Sequence, residues 1–311
     1  MSGVVIGLDG GGSKTHVIVA DETGAEITAV EGTGSALRPG EAERSASVIA
    51  ALVADALASA NMTHVVPRVL CVGVAGAGDE GERQALWNTL ASREIAEDVV
   101  VHTDAMIAMD DAFGEGAGIL LISGTGSFCF GRSPAGSFAR CGGWGPWFGD
   151  AGSGHWIGRR ACSVVAAAAD GREPETALTG AILTAAQVED VRGLVAWAAA
   201  AAPATYATLA PAVASVAEAG DLRANAILSL ATEELMLHIR ALARQLFVDE
   251  RAAIPVALTG GMLRPRSPLR KRLEQRLKSA VPGAQVRAEA VLPARGAVRS
   301  ALRMLGVEVS R

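Results

Sequence analysis

Residues 4–30, VVIGLDGGGSKTHVIVADETGAEITAV, read as apolar strand, glycine turn, strand, DETG turn and strand. Residues 118–141, GILLISGTGSFCFGRSPAGSFARC, repeat that order with SPAG as the second turn. Two copies of one β-meander predict two similar lobes. Behind the first, apolar periodicity predicts a helix at 41–60, a strand at 68–76, a helix at 81–91, a strand at 98–104 and a helix at 105–113. Behind the second it predicts a helical block, a strand at 255–261, a helix at 267–278, a strand near 284–287 and a last helix at 294–305. Strands separated by helices pair in parallel, so each lobe is expected to be a mixed sheet, of α/β class, with helices on both faces.

The glycines sharpen this division. Only four fall between Arg159 and Thr259, whereas fourteen fall in Gly114 to Gly158. The poor stretch is expected to be helical, and Leu228, Ala231, Leu235, Ile239, Leu242 and Leu246 recur at three- and four-residue spacing behind a capping Asp221. The rich stretch is expected to be turns and strands where backbone comes close to something else.

Composition excludes several classes. With 311 residues, 50% hydrophobic and 20% charged, the chain can bury a sizeable core in one or two domains. A net charge of -5 argues against nucleic acid as a partner. Arg264 to Lys278 carries seven basic residues and one acid, and reads as the solvated face of a helix. The start, MSGVVIGLDG, has no basic region and meets Asp9, so no signal peptide is expected and the chain is placed in the cytoplasm. Its four cysteines lack CxxC spacing and are expected to be reduced and buried. Gly193 to Ala217 has no charge, but it is Ala-rich and cut by Pro203 and Pro211, which predicts two short packed helices, not a membrane span.

The first glycine turn is Asp9-Gly10-Gly11-Gly12-Ser13-Lys14-Thr15. Its amides could cradle a phosphate, with Lys14 adding charge, or it could be a tight hairpin with an exposed base. Ser123-Gly124-Thr125-Gly126-Ser127 stands at the equivalent place in the second lobe, and the two could hold a nucleotide triphosphate across a cleft. A third turn, Thr259-Gly260-Gly261-Met262, could let a purine lie against the backbone. Asp9 could hold Mg²⁺ through water or cap its turn. Asp104 could take a proton from a hydroxyl or cap its helix. Finally, Cys141 to Gly158 contains Trp144, Trp147, Phe148, Asp150 and Trp156, and Trp beside a carboxylate suits a carbohydrate, though Trp packed on glycine in a core has the same composition. His155 reads as structural.

The stretches IGLDGGGSKT, SGTGSFCFGR and CGGWGPWFGDAGS, with HTDA between the first two, resemble the N-acetylglucosamine kinase branch of the acetate and sugar kinase, Hsp70 and actin superfamily. The resemblance covers nearly the whole chain. It implies a two-lobed ATPase fold with ribonuclease H-like lobes: residues 1–117 with a C-terminal helix at about 294–311, and residues 118–293 with a helical block at about 155–250. It also implies transfer of the γ-phosphate of ATP, with Mg²⁺, to the 6-hydroxyl of an amino sugar, by a protein commonly dimeric. By position, Asp9 falls near the metal and Asp104 on the base. Gly11, Gly12, Ser13, Lys14 and Thr15, then Gly124, Thr125 and Gly126, then Gly260 and Gly261 fall on the nucleotide motifs. Ser127, Phe128, Gly143, Trp144, Gly145 and Asp150 fall on the sugar side. Phe128 and the run Gly34-Ser35-Ala36-Leu37 stand where animal members have Asn, and Ala151 where Glu is common, so both N-acetylglucosamine and glucosamine fit the resemblance.

Two other readings are distinguishable. An ATPase activator of a 2-hydroxyacyl-CoA dehydratase would need cysteines such as Cys129 and Cys141 to hold an iron-sulfur cluster, and their spacing does not match. A non-catalytic sugar sensor would have lost the base or a phosphate turn, and neither is lost.

Overall fold

The computed structural model describes residues 3–12, 14–248 and 253–307. Its contacts divide into two compact units, Met1–Gly116 with Val291–Arg311, and Ala117–Ala290.

The first unit runs β1 (Val4–Gly10), β2 (Lys14–Asp21), β3 (Glu26–Thr33), α1 (Ala42–Ser59), β4 (Val69–Val74), α2 (Glu80–Ala91), β5 (Asp98–Thr103) and α3 (Asp104–Phe113), and is completed by α11 (Pro293–Met304). Its sheet has the order β3-β2-β1-β4-β5. The hairpin strands β1 and β2 are antiparallel, while β1, β4 and β5 are parallel. The central strands β1 and β4 are apolar on both faces because both faces are covered. Ile6, Leu8, Val17, Val72 and Val74 belong to the core shared with α1 and α2, and Val5, Ile18 and Cys71 to the core shared with α3 and α11. Edge strand β3 alternates instead between exposed and half-buried residues. A buried acid joins the two helices of the second core. Asp111, 1% exposed at its side chain, accepts from Arg295 Nε at 2.5 Å and from the Leu292 amide at 2.8 Å, and Arg303 pairs with Asp110. Such an acid is tolerable only with partners of this kind.

The second unit has β6 (Gly118–Ser123), β7 (Ser127–Arg132), β8 (Phe138–Gly142), β9 (Ile254–Thr259) and β10 (Ala284–Val286) in the order β10-β9-β6-β7-β8. Between β8 and β9 lie α4 (Gly154–Ala169), α5 (Leu178–Ala186), α6 (Val191–Ala200), α7 (Pro203–Ala207), α8 (Ala210–Glu218) and α9 (Leu222–Leu246), with α10 (Pro268–Ala280) between β9 and β10. Asp221 caps α9 by accepting from the Arg223 and Ala224 amides, and the six periodic residues read from the sequence are all buried.

Three expectations are corrected here. Helices cover both faces of the first sheet, but within the second unit they gather into one core on the face of Ile119, Leu121, Cys129 and Val256. Strands β7 and β8 set Phe128, Phe130, Arg132, Phe138 and Arg140 on alternate positions facing the other way. Gly193 to Ala217 forms parts of three helices, not two, because each proline starts a new one. Among the described residues no helix is long and apolar enough to cross a membrane. In the basic run, Arg270 is buried, not solvated: its Nη1 donates to the Leu258 and Leu263 carbonyls and its Nη2 to that of Arg287.

Candidate active site

In the first unit the site begins at the end of β1. Asp9 is the register partner of His16 on one side and of Gly73 on the other. Its carboxyl is raised to about 6, first by burial and then by the negative charge of Asp104, with His16 and Lys14 pulling the other way. Asp104 opens α3, and burial raises its carboxyl too. It is not the helix cap. Thr103 holds that position, its Oγ1 accepting from the Met106 amide at 3.2 Å, so the carboxyl of Asp104 is left with the neighbouring Ala105 amide at 2.9 Å. Neither acid forms an ion pair among the described residues.

The turn beyond Asp9 is held from behind. The Gly11 amide donates to the Lys14 carbonyl, and the Gly11 carbonyl accepts from Ala36. Gly12 has open space where a side chain would start. Ser13 lies outside the described residues. Lys14 is exposed and its ammonium donates to Glu31 at 3.0 Å; Glu31 also bonds His16 at 2.5 Å. The Thr15 hydroxyl points inward and is used by the fold, donating to the Thr33 carbonyl and bonding Ser35. Thus Asp9, Gly11, Gly12 and Asp104 gather at one end of the sheet, Lys14 is occupied at its rim and Thr15 is buried beneath it.

In the second unit three segments meet. The hairpin turn between β6 and β7 closes with Gly124 N donating to Gly126 O, and α4 starts against it, with Gly154 N donating to Gly124 O at 2.8 Å and His155 N to Thr125 O at 3.2 Å. Ser153 caps α4 through the Trp156 amide, so a 16-residue helix directs its positive end to this turn. The turn after β9 reaches the same place: Gly260 has φ +98°, and a β-carbon on it would overlap the Ser123 carbonyl oxygen. Only glycine fits there. Gly261 lies against Gly124, and the buried Arg270 ties down the carbonyl of Leu263, which ends the 3-10 turn Gly261–Leu263.

Asp150 joins this turn to the aromatic segment. Its Oδ1 accepts from the Ser127 amide at 3.2 Å, while Ser127 Oγ donates to the Ala151 carbonyl at 2.7 Å. Gly143 lies on the Phe128 side chain and donates its amide to Ser127, so Phe128 serves as a floor under the segment. Gly145 accepts from the Gly149 amide. Above this floor Trp144 and Trp147 are each 69% exposed and Phe148 92%. The Arg140 guanidinium stands 5.2 Å over the Trp144 ring. These three rings are exposed and do not form a packed core.

Three residues shape these sites in ways the sequence reading did not show. Arg270 was hidden in a basic run, although its spacing with Leu273 and Leu277 on one helix face marked it. His155 is buried edge-on to Trp147 and Tyr206, and so ties the aromatic segment to the helical block. Ser35, buried behind the first turn, had no local signal. Cys129 and Cys141 are direct cross-strand partners on the face turned to the helical core, where burial pushes both thiols up. Among the described residues no group of three or more His, Cys, Asp or Glu could hold a metal on its own.

Comparison with known proteins agrees with this geometry. The model described as the BadF/BadG/BcrA/BcrD ATPase family matches residues 6–301. An N-acetylmuramic acid/N-acetylglucosamine kinase of Clostridium acetobutylicum is 30% identical over 261 residues, 83% of this chain and 85% of the relative. An N-acetyl-D-glucosamine kinase of Dictyostelium discoideum is 28% identical over 314 residues, 96% and 98% of the two chains. A crystal structure from Chromobacterium violaceum, provisionally designated an N-acetylglucosamine kinase, superposes with a TM-score of 0.79 at 30% identity, covering 96% of this chain and 98% of its own.

Proposed function

Since the chain belongs to the BadF/BadG/BcrA/BcrD ATPase family, we propose that it is an ATP-dependent kinase acting on the 6-hydroxyl of an amino sugar. Both units are built on the mixed five-stranded sheet of the actin/Hsp70-like ATPases, and the family uses ATP. The observation that carries the reading is the pair Asp9 and Asp104, two half-buried carboxyls that form no ion pair among the described residues and that the fold holds at the end of one sheet.

In this reading Asp104 orients the sugar hydroxyl and accepts its proton as the new O–P bond forms, while the bond from the γ-phosphorus to the bridging oxygen breaks and ADP leaves. A carboxyl raised by burial is a better base than an ordinary one. The turns at Gly11–Gly12 and at Gly124–Gly126, the latter with the α4 N-terminus, would hold phosphate through amides, and the turn at Gly260–Gly261 would hold the adenosine. Trp144 would cover the apolar face of the sugar and Asp150 accept from its hydroxyls.

Mg²⁺ fits Asp9: a hard cation that takes one or two carboxylates and fills its remaining positions with phosphate oxygens and water suits an unpaired acid beside a second one. When bound it would neutralise charge on the phosphates. The curated relatives are named for N-acetylglucosamine and N-acetylmuramic acid. Phe128 and Ala151 offer no polar side chain to the 2-substituent, so glucosamine belongs in the same test. A cytoplasmic homodimer is carried into the reading from the family resemblance, and light scattering checks the dimer.

The deciding experiment is ADP release measured with N-acetylglucosamine, glucosamine, N-acetylmuramic acid and glucose, with the phosphorylated position read by NMR. An amino-sugar 6-phosphate is expected. No sugar-dependent ADP release would overturn the reading.

A further inference from the structure

Ile107 lies three residues on from Asp104 and so on the same side of α3. Ile107 is fully buried. Its side chain fills a notch left by Gly73 in β4: a β-carbon on Gly73 would overlap Ile107 Cδ1 and Cγ1 and lie 2.9 Å from Cγ2. A β-branched side chain has one favoured rotamer in a helix, so it cannot swing clear and the helix itself would have to move. The carbonyl of Ile107 fills a second notch, at Gly296 in α11, where a β-carbon would overlap that oxygen and lie 2.8 Å from the Asp111 amide nitrogen. Here the obstacle is backbone and no rotamer relieves it.

These notches form a closed chain of contacts around the two acids. Gly73 is the direct register partner of Asp9 across β1 and β4. On β1 itself Gly7, two residues before Asp9 and on the same face, is pressed by α11, with the Val298 amide nitrogen 2.5 Å from where a β-carbon would stand. Asp111, one turn beyond Ile107, is clamped by Arg295 of α11. The path from Asp9 through Gly73 and Ile107 to Asp104 therefore contains no loop and no exposed side chain.

We propose that Ile107 is a positioning residue for the phosphoryl transfer: seated between Gly73 and Gly296, it fixes the first turn of α3 and with it the place of Asp104 relative to Asp9 and the reacting hydroxyl. The inference rests on the reading of Asp104 as the base. A displacement of about 1 Å at such a group costs on the order of a hundredfold in rate, so a methyl in a notch is enough to show in turnover.

Three variants test it, each compared with wild type and Asp104→Asn for kcat, for KM of sugar and ATP, and for circular dichroism. Gly73→Ala blocks the seat and should lower kcat about 10- to 100-fold with both KM values within threefold. Ile107→Val removes only Cδ1, the atom deepest in the notch, so it folds; its kcat should fall about threefold with KM unchanged, and it decides the matter if Gly73→Ala does not fold. The pair Gly73→Ala with Ile107→Ala empties the side-chain overlap and should recover at least about fivefold in kcat over Gly73→Ala, although its melting temperature stays below wild type. A residue that served packing alone would lower melting temperature in all three and leave kcat of the folded protein unchanged. Wild-type kcat in Ile107→Val, or in folded Gly73→Ala, or a double variant no faster than Gly73→Ala, overturns the seat while the kinase reading stands. Near-normal turnover in Asp104→Asn overturns the base and the seat together.

Discussion

Asp104 stands close enough to Asp9 for its charge to add to burial in lifting the Asp9 carboxyl to about 6. An acid raised from its ordinary 3.8 binds its proton more tightly in the folded chain. Its contribution to stability is therefore fully present below about pH 3.8 and lost as pH rises through 6. At pH 7.5 the ionised acid is a net cost of at most about 3 kcal/mol, from ~1.4 kcal/mol per pKa unit. Asp9→Asn should be more stable than wild type by about 1–3 kcal/mol in urea at pH 7.5, with the difference gone near pH 4. Turnover with ATP and magnesium should fall by at least about a hundredfold in the same variant. A variant no more stable at pH 7.5 would show that the acid is not strained in the free protein.

Replacing Asp104 by Asn keeps the size of the side chain and, because Thr103 holds the cap, leaves the start of α3 intact. Turnover should drop by at least about a hundredfold with sugar affinity, read by calorimetry, within a few-fold. In wild type, kcat/KM should decline on the acid side at a pH above the usual carboxylate range, because burial raises this group. Unchanged turnover in Asp104→Asn would take the base role from it.

The fold was legible where a pattern is local. The repeated meander is read from period-two apolar runs and glycine turns, and α9 from its 3.6-residue row behind Asp221, because each signal lies within a dozen neighbouring residues. Asp9 and Asp104 were legible as strand-end acids, but Asp104's freedom from capping was not, since Thr103 and Asp104 are chemically equivalent caps and only the folded turn distinguishes them. The roles of Arg270 and Ile107 were not legible for a different reason. What matters about each is a partner far along the chain, the carbonyls of Leu258 and Arg287 for one and the missing side chains of Gly73 and Gly296 for the other. The placing of the second unit's helices in one core escaped notice because alternating Phe and Arg read as strand without saying what the strand faces.

Arg270 offers a test on the nucleotide side. Its guanidinium satisfies three carbonyls and Glu274 from a buried position, one of those carbonyls belonging to Leu263 just past Gly261. Arg270→Met removes these buried bonds and should destabilise the protein by about 2–4 kcal/mol in urea. Because the turn it anchors carries Gly260 and Gly261, KM for ATP should rise at least about fivefold while KM for the sugar moves little. Arg270→Lys should recover little of either, since an ammonium cannot reach three carbonyls in the guanidinium's fork geometry. Equal rises in both KM values would mean that the residue supports the unit as a whole.

Trp144 separates binding from folding more cleanly. At 69% exposure its ring contributes little to the core, so Trp144→Ala should leave stability within about 0.5 kcal/mol of wild type. If the ring covers the sugar, the variant should raise sugar KM at least about tenfold, with ATP KM within twofold, because an aromatic face on a carbohydrate is worth about 1–2 kcal/mol. Trp144→Phe should fall between, retaining a flat apolar surface of smaller area under Arg140. Arg140→Ala gives the companion measurement: its guanidinium stacks on that ring and forms no ion pair among the described residues, so its loss frees the ring to turn without removing it. Sugar KM should then rise less than in Trp144→Ala. An unchanged sugar KM in Trp144→Ala would move the sugar away from this face altogether.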